Sequence, residues 1–551
     1  QEPTQLTSSL PVLLDAWKHS QGTSADRFLL STASPLKPVY LEAGRLEPDY
    51  KNSHALRAAR NEFESVQVQV VPFAGDLKDV RWTLSPLTNK DGGKIGGKVF
   101  VVAYVLCEET VYTPGNKAGW HPDGLADFAD HIAHVPMGEI LNLWVRVYAP
   151  ADAAPGDYSG TLTVTAANAA PQVLNITTRV NTFALPVEPN EQTINSLIAN
   201  FDGMGKFYPA DKIPKILERT EDMLLDDYRM NVGNIICSPA TEPFHWDATR
   251  LRALKAKGLQ RFPIVSMDWY PGTPEQMANA AIADIQKIMP EVEKAGLRDQ
   301  AIVYGFDEWP PEKFGKALDI IRRLKAVYPD LKVLTCALSY WGLKGAETEE
   351  ARIVDIWAPL ISLFDENPGL IQRLQARGTK VGWYICQFPG PPYPGIMVEQ
   401  PPADMRLLLG AMAHKYKSDG FLYWAFNQWV LNSEPISSLP RCEFNPNTYN
   451  GPERYNGGGH LLLPGPNGPI PTVRLESMRD GLDDNDYYVI LERLLKQKGL
   501  PPDAANVPKS VVENLTRFTV DPSVIEAERS RVADEIERVS ALPDISSAAA
   551  P

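Results

Sequence analysis

The chain has little of what would tie it to a metal ion, a membrane or a nucleic acid. Its five cysteines, Cys107, Cys237, Cys336, Cys386 and Cys442, are odd in number, scattered and never spaced as CxxC, which argues against a disulfide framework and against zinc. Three of them lie in apolar, strand-like runs and are expected as buried thiols. The eight histidines make no HxH or HExxH pattern, and His460 stands alone in YNGGGHLLLPG. No helix follows YNGGG, so it is no phosphate cradle. The acid-rich GLDDNDYY lacks the full spacing of a calcium loop and reads as a solvated helix. No metal and no cofactor is therefore expected. No run of about eighteen apolar residues occurs, so no membrane span is expected. With 54 Lys and Arg against 68 Asp and Glu, a net charge of −14 and no basic cluster, the chain is a poor match for nucleic acid. A neutral or weakly charged partner fits better. QEPTQLTSS starts at Gln1 and has no basic, apolar, small-residue leader. A trimmed chain, secreted or periplasmic, is the expectation.

At 551 residues the chain is too long for one core. Within an N-terminal domain of residues 1–190, residues 40–190 alternate or run apolar in segments such as ARNEFESVQVQVV, EILNLWVRVYAP and GDYSGTLTVTAA, punctuated by Gly, Pro and Asp. That period of two predicts a β-sandwich. From about 191 to 475 the pattern becomes apolar strand, loop, amphipathic helix. The expected strands are INSLIAN (194–200), MNVGNIICS (230–238), FPIVSMDW (262–269), AIVYGFDE (301–308), KVLTCALS (332–339), IVDIWAPL (353–360), KVGWYICQ (380–387) and GFLYWAFNQW (420–429). Eight such units predict a (β/α)8 barrel of the TIM type. Residues 476–551 read as helices packed on the barrel flank, ending in a disordered SSAAAP. The fold class is thus multidomain: a sandwich, a barrel and C-terminal helices.

In AIVYGFDEWP an apolar strand ends in adjacent acids, Asp307 and Glu308, between Phe306 and Trp309. Neighbours on a strand face opposite ways, so both acids reach one pocket only where the strand ends and twists into its loop. Barrel enzymes keep their chemistry at that end. Glycoside cleavage usually takes an acid for the leaving oxygen and a carboxylate across the ring, and strand seven, KVGWYICQFPGPPYPG, offers no carboxylate. Adjacent acids suit the alternative, in which the substrate's 2-acetamido group attacks. Asp307 would hold the acetamido N–H and Glu308 would act as acid and then base. Sugars present apolar faces and hydroxyl edges, so aromatics and amides at strand ends are candidate pocket walls. These are Asn200, Asp202, Asp268, Trp269, Tyr270, Trp309, Tyr384, Trp424, Asn427 and Trp429.

The chain resembles glycoside hydrolase family 123, the exo-acting N-acetyl-β-galactosaminidases and their homologues with the same C-terminal region. The resemblance rests on AARNEFESVQVQVV (58–71), YGFDEWPPEKF (304–314), GFLYWAFNQW (420–429) and GGGHLLLPGPNGPIPTVRLESMRDGLDDNDYYVILERL (457–494). It implies a β-sandwich before a (β/α)8 barrel, a glycan or glycoconjugate substrate, and substrate-assisted hydrolysis with retention. Carried over, it makes Asp307 the acetamido-orienting residue and Glu308 the acid/base. Trp309 stands where relatives often have proline, and Pro310 follows. Two other readings stay open: a different glycosidase with Asp202 or Asp268 opposite Glu308 at inverting distance, and a glycan-binding protein without turnover. Oligomeric state is not legible.

Overall fold

The computed structural model describes residues 3–111, 115, 118–200, 202–450 and 455–543, and the expected disorder at 546–551 falls outside them. A helix that the sequence reading did not assign, Pro3–Ser20, precedes a sheet-rich N-terminal domain. Its strands run Phe28–Ala33, Glu62–Pro72, Leu141–Ala149 and Lys94–Cys107 in spatial order, then through Leu87–Thr88 to Gly156–Ala166, Ala169–Ala184 and Ser53–Arg60. All of these pair antiparallel except the last two, which run parallel. Alternation decides the packing. Along Glu62–Pro72, Val66, Val68 and Val70 enter one apolar cluster. On the opposite face Gln67 and Gln69 are buried as well, and they pair with Asn142 at 2.8 and 3.2 Å, which offsets part of the cost of burying amides there.

The second half is α/β with parallel strands in two arcs. One runs Phe262–Ser266, Ala301–Tyr304, Lys332–Thr335, Ile356–Trp357 and Lys380–Val381; the other runs Thr193–Asn195, Phe421–Tyr423 and Trp383–Tyr384. Strand seven changes neighbours at Gly382. Gly382 N–H still donates to Trp357 O at 2.9 Å, whereas Trp383 N–H donates to Gly420 O at 2.8 Å. A Cβ on Gly382 would lie 2.3 Å from Gly420 O, so only glycine admits the backbone there.

Eight laddered strands were expected, and 230–238 forms none. The asparagines of MNVGNIICS explain it, because their side chains compete for the backbone. Asn234 Oδ1 accepts from Ile236 and Cys237 N–H, and Thr193 Oγ1 and Ser196 Oγ take the N–H groups of Asn231 and Ile235. The segment is therefore held beside strand one largely by side chains.

The helix Val473–Gln497, capped by Thr472, is buried over most of its length. The expectation of a solvated GLDDNDYY fails because each carboxylate meets an arginine: Asp483 and Asp486 meet Arg229, Asp484 meets Arg406, and Glu476 meets Arg146 and Arg479. Arg146 comes from the N-terminal sheet, and Arg529 of the helix Pro522–Ser540 reaches Glu62 at 2.6 Å. The C-terminal helices thus touch both halves of the molecule.

Candidate active site

The strand Ala301–Tyr304 stops at a glycine whose Cβ would fall 2.4 Å from Met267 Cβ. The chain then turns sharply, with Phe306 at φ 62° and Glu308 at φ 50°. Left-handed backbone at a bulky non-glycine residue is uncommon and must be over-determined by its surroundings. Here it is. Asp307 N–H points between the two oxygens of Asp268, 3.1 Å from each. The Trp309 side chain and the Phe306 N–H also donate to that carboxyl. Trp309 N–H closes on Phe306 O at 3.3 Å, and Trp309 O receives Leu338 N–H at 2.9 Å. Burial pushes Asp268 up to about 6, opposed by the Asp307 N–H and assisted by the Asp307 charge.

Both expected acids line one cleft of about 200 Å³, Asp307 exposed and Glu308 half-buried. Tyr304 Oη and Cys336 Sγ each lie 2.8 Å from Asp307 Oδ1 and donate to it. Burial, together with the Asp307 charge, raises both the phenol and the thiol well above their ordinary values, so both stay protonated donors. One oxygen of Asp307 is thereby engaged by two neutral donors. Tyr384 Oη donates to Glu308 Oε1 from strand seven, the place where a nucleophilic carboxylate would have stood. Burial raises Glu308 above the usual glutamate range; the Tyr384 and Tyr340 hydrogen bonds oppose this and the Asp307 charge adds to it. Among the described residues that line the cleft, Asp307 and Glu308 are the only carboxylates.

Two models of one family match the sequence: the glycoside hydrolase 123 catalytic domain at residues 241–491 and the glycoside hydrolase 123 N-terminal domain at 15–166. The chain belongs to glycoside hydrolase family 123. It is a glycoside hydrolase. Among solved structures it is similar to a family 123 glycoside hydrolase from Clostridium perfringens, studied for glycolipid glycan hydrolysis, at 16% identity over 93% of this chain and 97% of that one, with a TM-score of 0.67. The likeness extends the shared fold over both halves. A family 39 glycoside hydrolase from Bacteroides cellulosilyticus WH2 aligns at 11% identity over 74% of this chain and 81% of that one, with a TM-score of 0.35 too low to carry an argument. No curated protein matches the chain in sequence.

Of the ten residues expected on the pocket wall of this family 123 chain, Tyr384 and Trp424 line the cleft. Asp268 and Trp309 brace the corner instead, Trp309 packing edge-on against Phe306 at 5.1 Å. Asn427 and Trp429 are fully buried: Asn427 brackets Ile198 N–H and C=O at 2.8 Å each, and Trp429 Nε1 donates to Leu462 O at 2.8 Å. A strand end that feeds a packed loop turns alternate side chains inward, which is why these two leave the wall. Tyr270 reaches Asp284 at 2.9 Å, Asn200 Nδ2 donates to Thr241 O, and the Asp202 carbonyl accepts from Trp429 N–H, all outside the cleft lining. Trp269 is exposed beside the corner. His460 is buried, its ring nitrogens against Pro446 and Gln428 carbonyls, and burial lowers it to about 4.

The sequence reading missed Tyr304, Cys336, Tyr340, Tyr449 and Tyr455, which share the cleft. For Cys336 and Tyr340 the signal was present, since both stand at or just beyond the end of strand five. A larger cavity of about 680 Å³ opens beside the unladdered 230–238 segment. Its five carboxylates are each paired, Glu221 with His245, Trp246 and Arg250, Glu242 with the Ala199 and Asn200 N–H groups, Asp247 with Arg250 N–H, Asp284 with Tyr270 and Lys287, and Glu291 with Ala248 N–H; the adjacent acids lie in the smaller cleft.

Proposed function

We propose that this chain is an exo-acting, retaining β-N-acetylgalactosaminidase in which the substrate's own 2-acetamido oxygen attacks the anomeric carbon. The observation that carries this reading is a cleft with two adjacent acids and a tyrosine, not a third carboxylate, on strand seven. With Oδ1 engaged by Tyr304 and Cys336, Asp307 has Oδ2 left for the acetamido N–H. That contact orients the amide and stabilises the positive charge that grows as the oxazolinium forms. Glu308, raised by burial, keeps a proton for the glycosidic oxygen. It then takes one from the water that opens the oxazolinium on the same face, giving retention.

The two parallel arcs support reading the second half as a (β/α)8 barrel with strand two held by side chains. The β-sandwich of residues 1–190 and the helical region from 476 belong to the same proposal. A terminal sugar on a glycolipid or glycoprotein glycan, met outside the cell, fits a secreted or periplasmic enzyme.

The test is a panel of aryl β-glycosides of GalNAc, GlcNAc and unsubstituted galactose, with the product anomer followed by NMR and a thiazoline mimic as inhibitor. Turnover of the 2-acetamido sugars alone, with a β-anomer first formed and tight thiazoline inhibition, is expected. Equal hydrolysis of β-galactoside, or an α-anomer first, would overturn it; the latter would favour a water activated opposite Glu308.

A further inference from the structure

Among the described residues, six Trp, Tyr or Phe side chains are exposed, and Trp17 alone lies on the N-terminal helix. Trp269, Tyr340, Trp341 and Phe388 follow the C-terminal ends of parallel strands, and Tyr449 lines the cleft itself. Large apolar rings gathered in water at one mouth mark a binding surface more than they mark chance.

Four of the five, Tyr340, Trp341, Phe388 and Tyr449, stand on the side of strands five, seven and eight. Tyr340 and Trp341 sit on the short turn Ser339–Trp341, which is rigidly tied down: Ser339 Oγ donates to Cys336 O at 2.5 Å and Trp341 N–H to Leu338 O at 3.0 Å. Leu338 N–H reaches Trp309 O in the catalytic corner. The two rings meet edge to face at 6.2 Å, so they do not stack upon each other. Phe388 is two residues past Cys386, whose N–H donates to Phe388 O at 3.0 Å, and Cys386 lines the cleft. The backbone that carries the rim is thus tied to the loops around the acids and is set before anything binds.

We propose that Trp341 and Phe388, continuing from Tyr449, form a stacking platform for the second and third sugars on the leaving-group side of a neutral oligosaccharide. This rests on the reaction proposed above. The cleft, at about 200 Å³, is smaller than the roughly 300–1,000 Å³ that engulfs a drug-sized ligand. It has room for the sugar being released and little else, so the remainder of the chain lies across the rim. Aromatic faces match the C–H faces of pyranose rings. Among the described residues the cleft lining contains no Lys or Arg, and the chain carries a net charge of −14, which suits uncharged sugars better than an anionic bilayer.

The experiment compares wild type, W341A, F388A and the double variant on an aryl glycoside and on a soluble trisaccharide ending in the same sugar. The platform predicts unchanged kcat/KM on the aryl glycoside and a fall of about 2- to 12-fold per ring on the trisaccharide. Equal losses on both substrates, or on neither, overturn it. A loss confined to the same glycan carried on a lipid in neutral vesicles would make the rim a bilayer contact and also overturn it. If wild type hydrolyses neither substrate, the reaction reading fails, and the platform is judged by calorimetry: W341A must weaken binding of the trisaccharide and not of the monosaccharide.

Discussion

Arg479 offers the sharpest test of how this molecule is held together. It is fully buried in the middle of the helix Val473–Gln497. Its guanidinium lies 2.8 Å from Glu476 Oε2, 2.6 Å from Asp480 Oδ1 and 3.9 Å from Asp483 Oδ2, the Glu476 contact being an ion pair off the axis of a hydrogen bond. It also lies over the Phe63 and Tyr228 rings at 5.3 and 5.9 Å. Arg479→Met keeps the volume and removes the charge. Breaking a buried pair from one side costs about 3–5 kcal/mol. Each carboxylate keeps a second arginine, Glu476 with Arg146, Asp480 with Arg406 and Asp483 with Arg229, so the low end, about 3 kcal/mol, is expected. In a cooperative unit of 150–250 residues that lowers Tm by about 6–12 °C. Calorimetry reads it, and E476Q/R479M should cost at least about 0.5 kcal/mol less than the sum of the single variants. A change under about 1 kcal/mol for Arg479→Met, or strict additivity, would refute the view that these charges depend on one another.

Glu308→Gln should lose activity on poor leaving groups and regain part of it on activated aryl glycosides, whereas Asp307→Asn should fail on both; steady-state rates across a leaving-group series decide. Removing a donor to Asp307, by Cys336→Ala or Tyr304→Phe, should lower kcat by about 2- to 12-fold, the worth of a single hydrogen bond, with the fold unchanged by circular dichroism. Because burial raises Glu308 and the tyrosine hydrogen bonds oppose that rise, the alkaline limb of kcat/KM should lie above the ordinary glutamate range. Tyr340→Phe, which deletes a bond to the charged form, should move that limb to higher pH; a move to lower pH would reverse the assigned roles.

Where the sequence repeats a physical rule, it was readable. Alternating valines and polar residues in EFESVQVQVV announced a strand with one apolar face, and the end of AIVYGFDE announced paired acids at a strand terminus. What was hidden depended on contacts distant in sequence. GLDDNDYY looks solvated until Arg229 and Arg406 arrive from elsewhere to pair with it. MNVGNIICS has the hydrophobicity of a strand, yet Asn234 turns on its own backbone. Asn427 and Trp429 follow the same strand as Trp424, and only the loop packed over them separates interior from wall. Cys336 was legible as a buried thiol; that it donates to Asp307 was not, because the partner lies 29 residues away.

With Glu308 in the role proposed above, the corner at Phe306 and Glu308 makes thermostability and turnover pull in opposite directions. Two non-glycine residues in left-handed backbone each hold of order 1–3 kcal/mol of strain; Phe306 is locked into the core, but a glycine at position 308 would relieve its share. Selection for heat resistance alone would drift toward that glycine and discard the carboxylate with it. An engineer hardening this enzyme should therefore seek the gain in the N-terminal sheet and leave the bend uncomfortable.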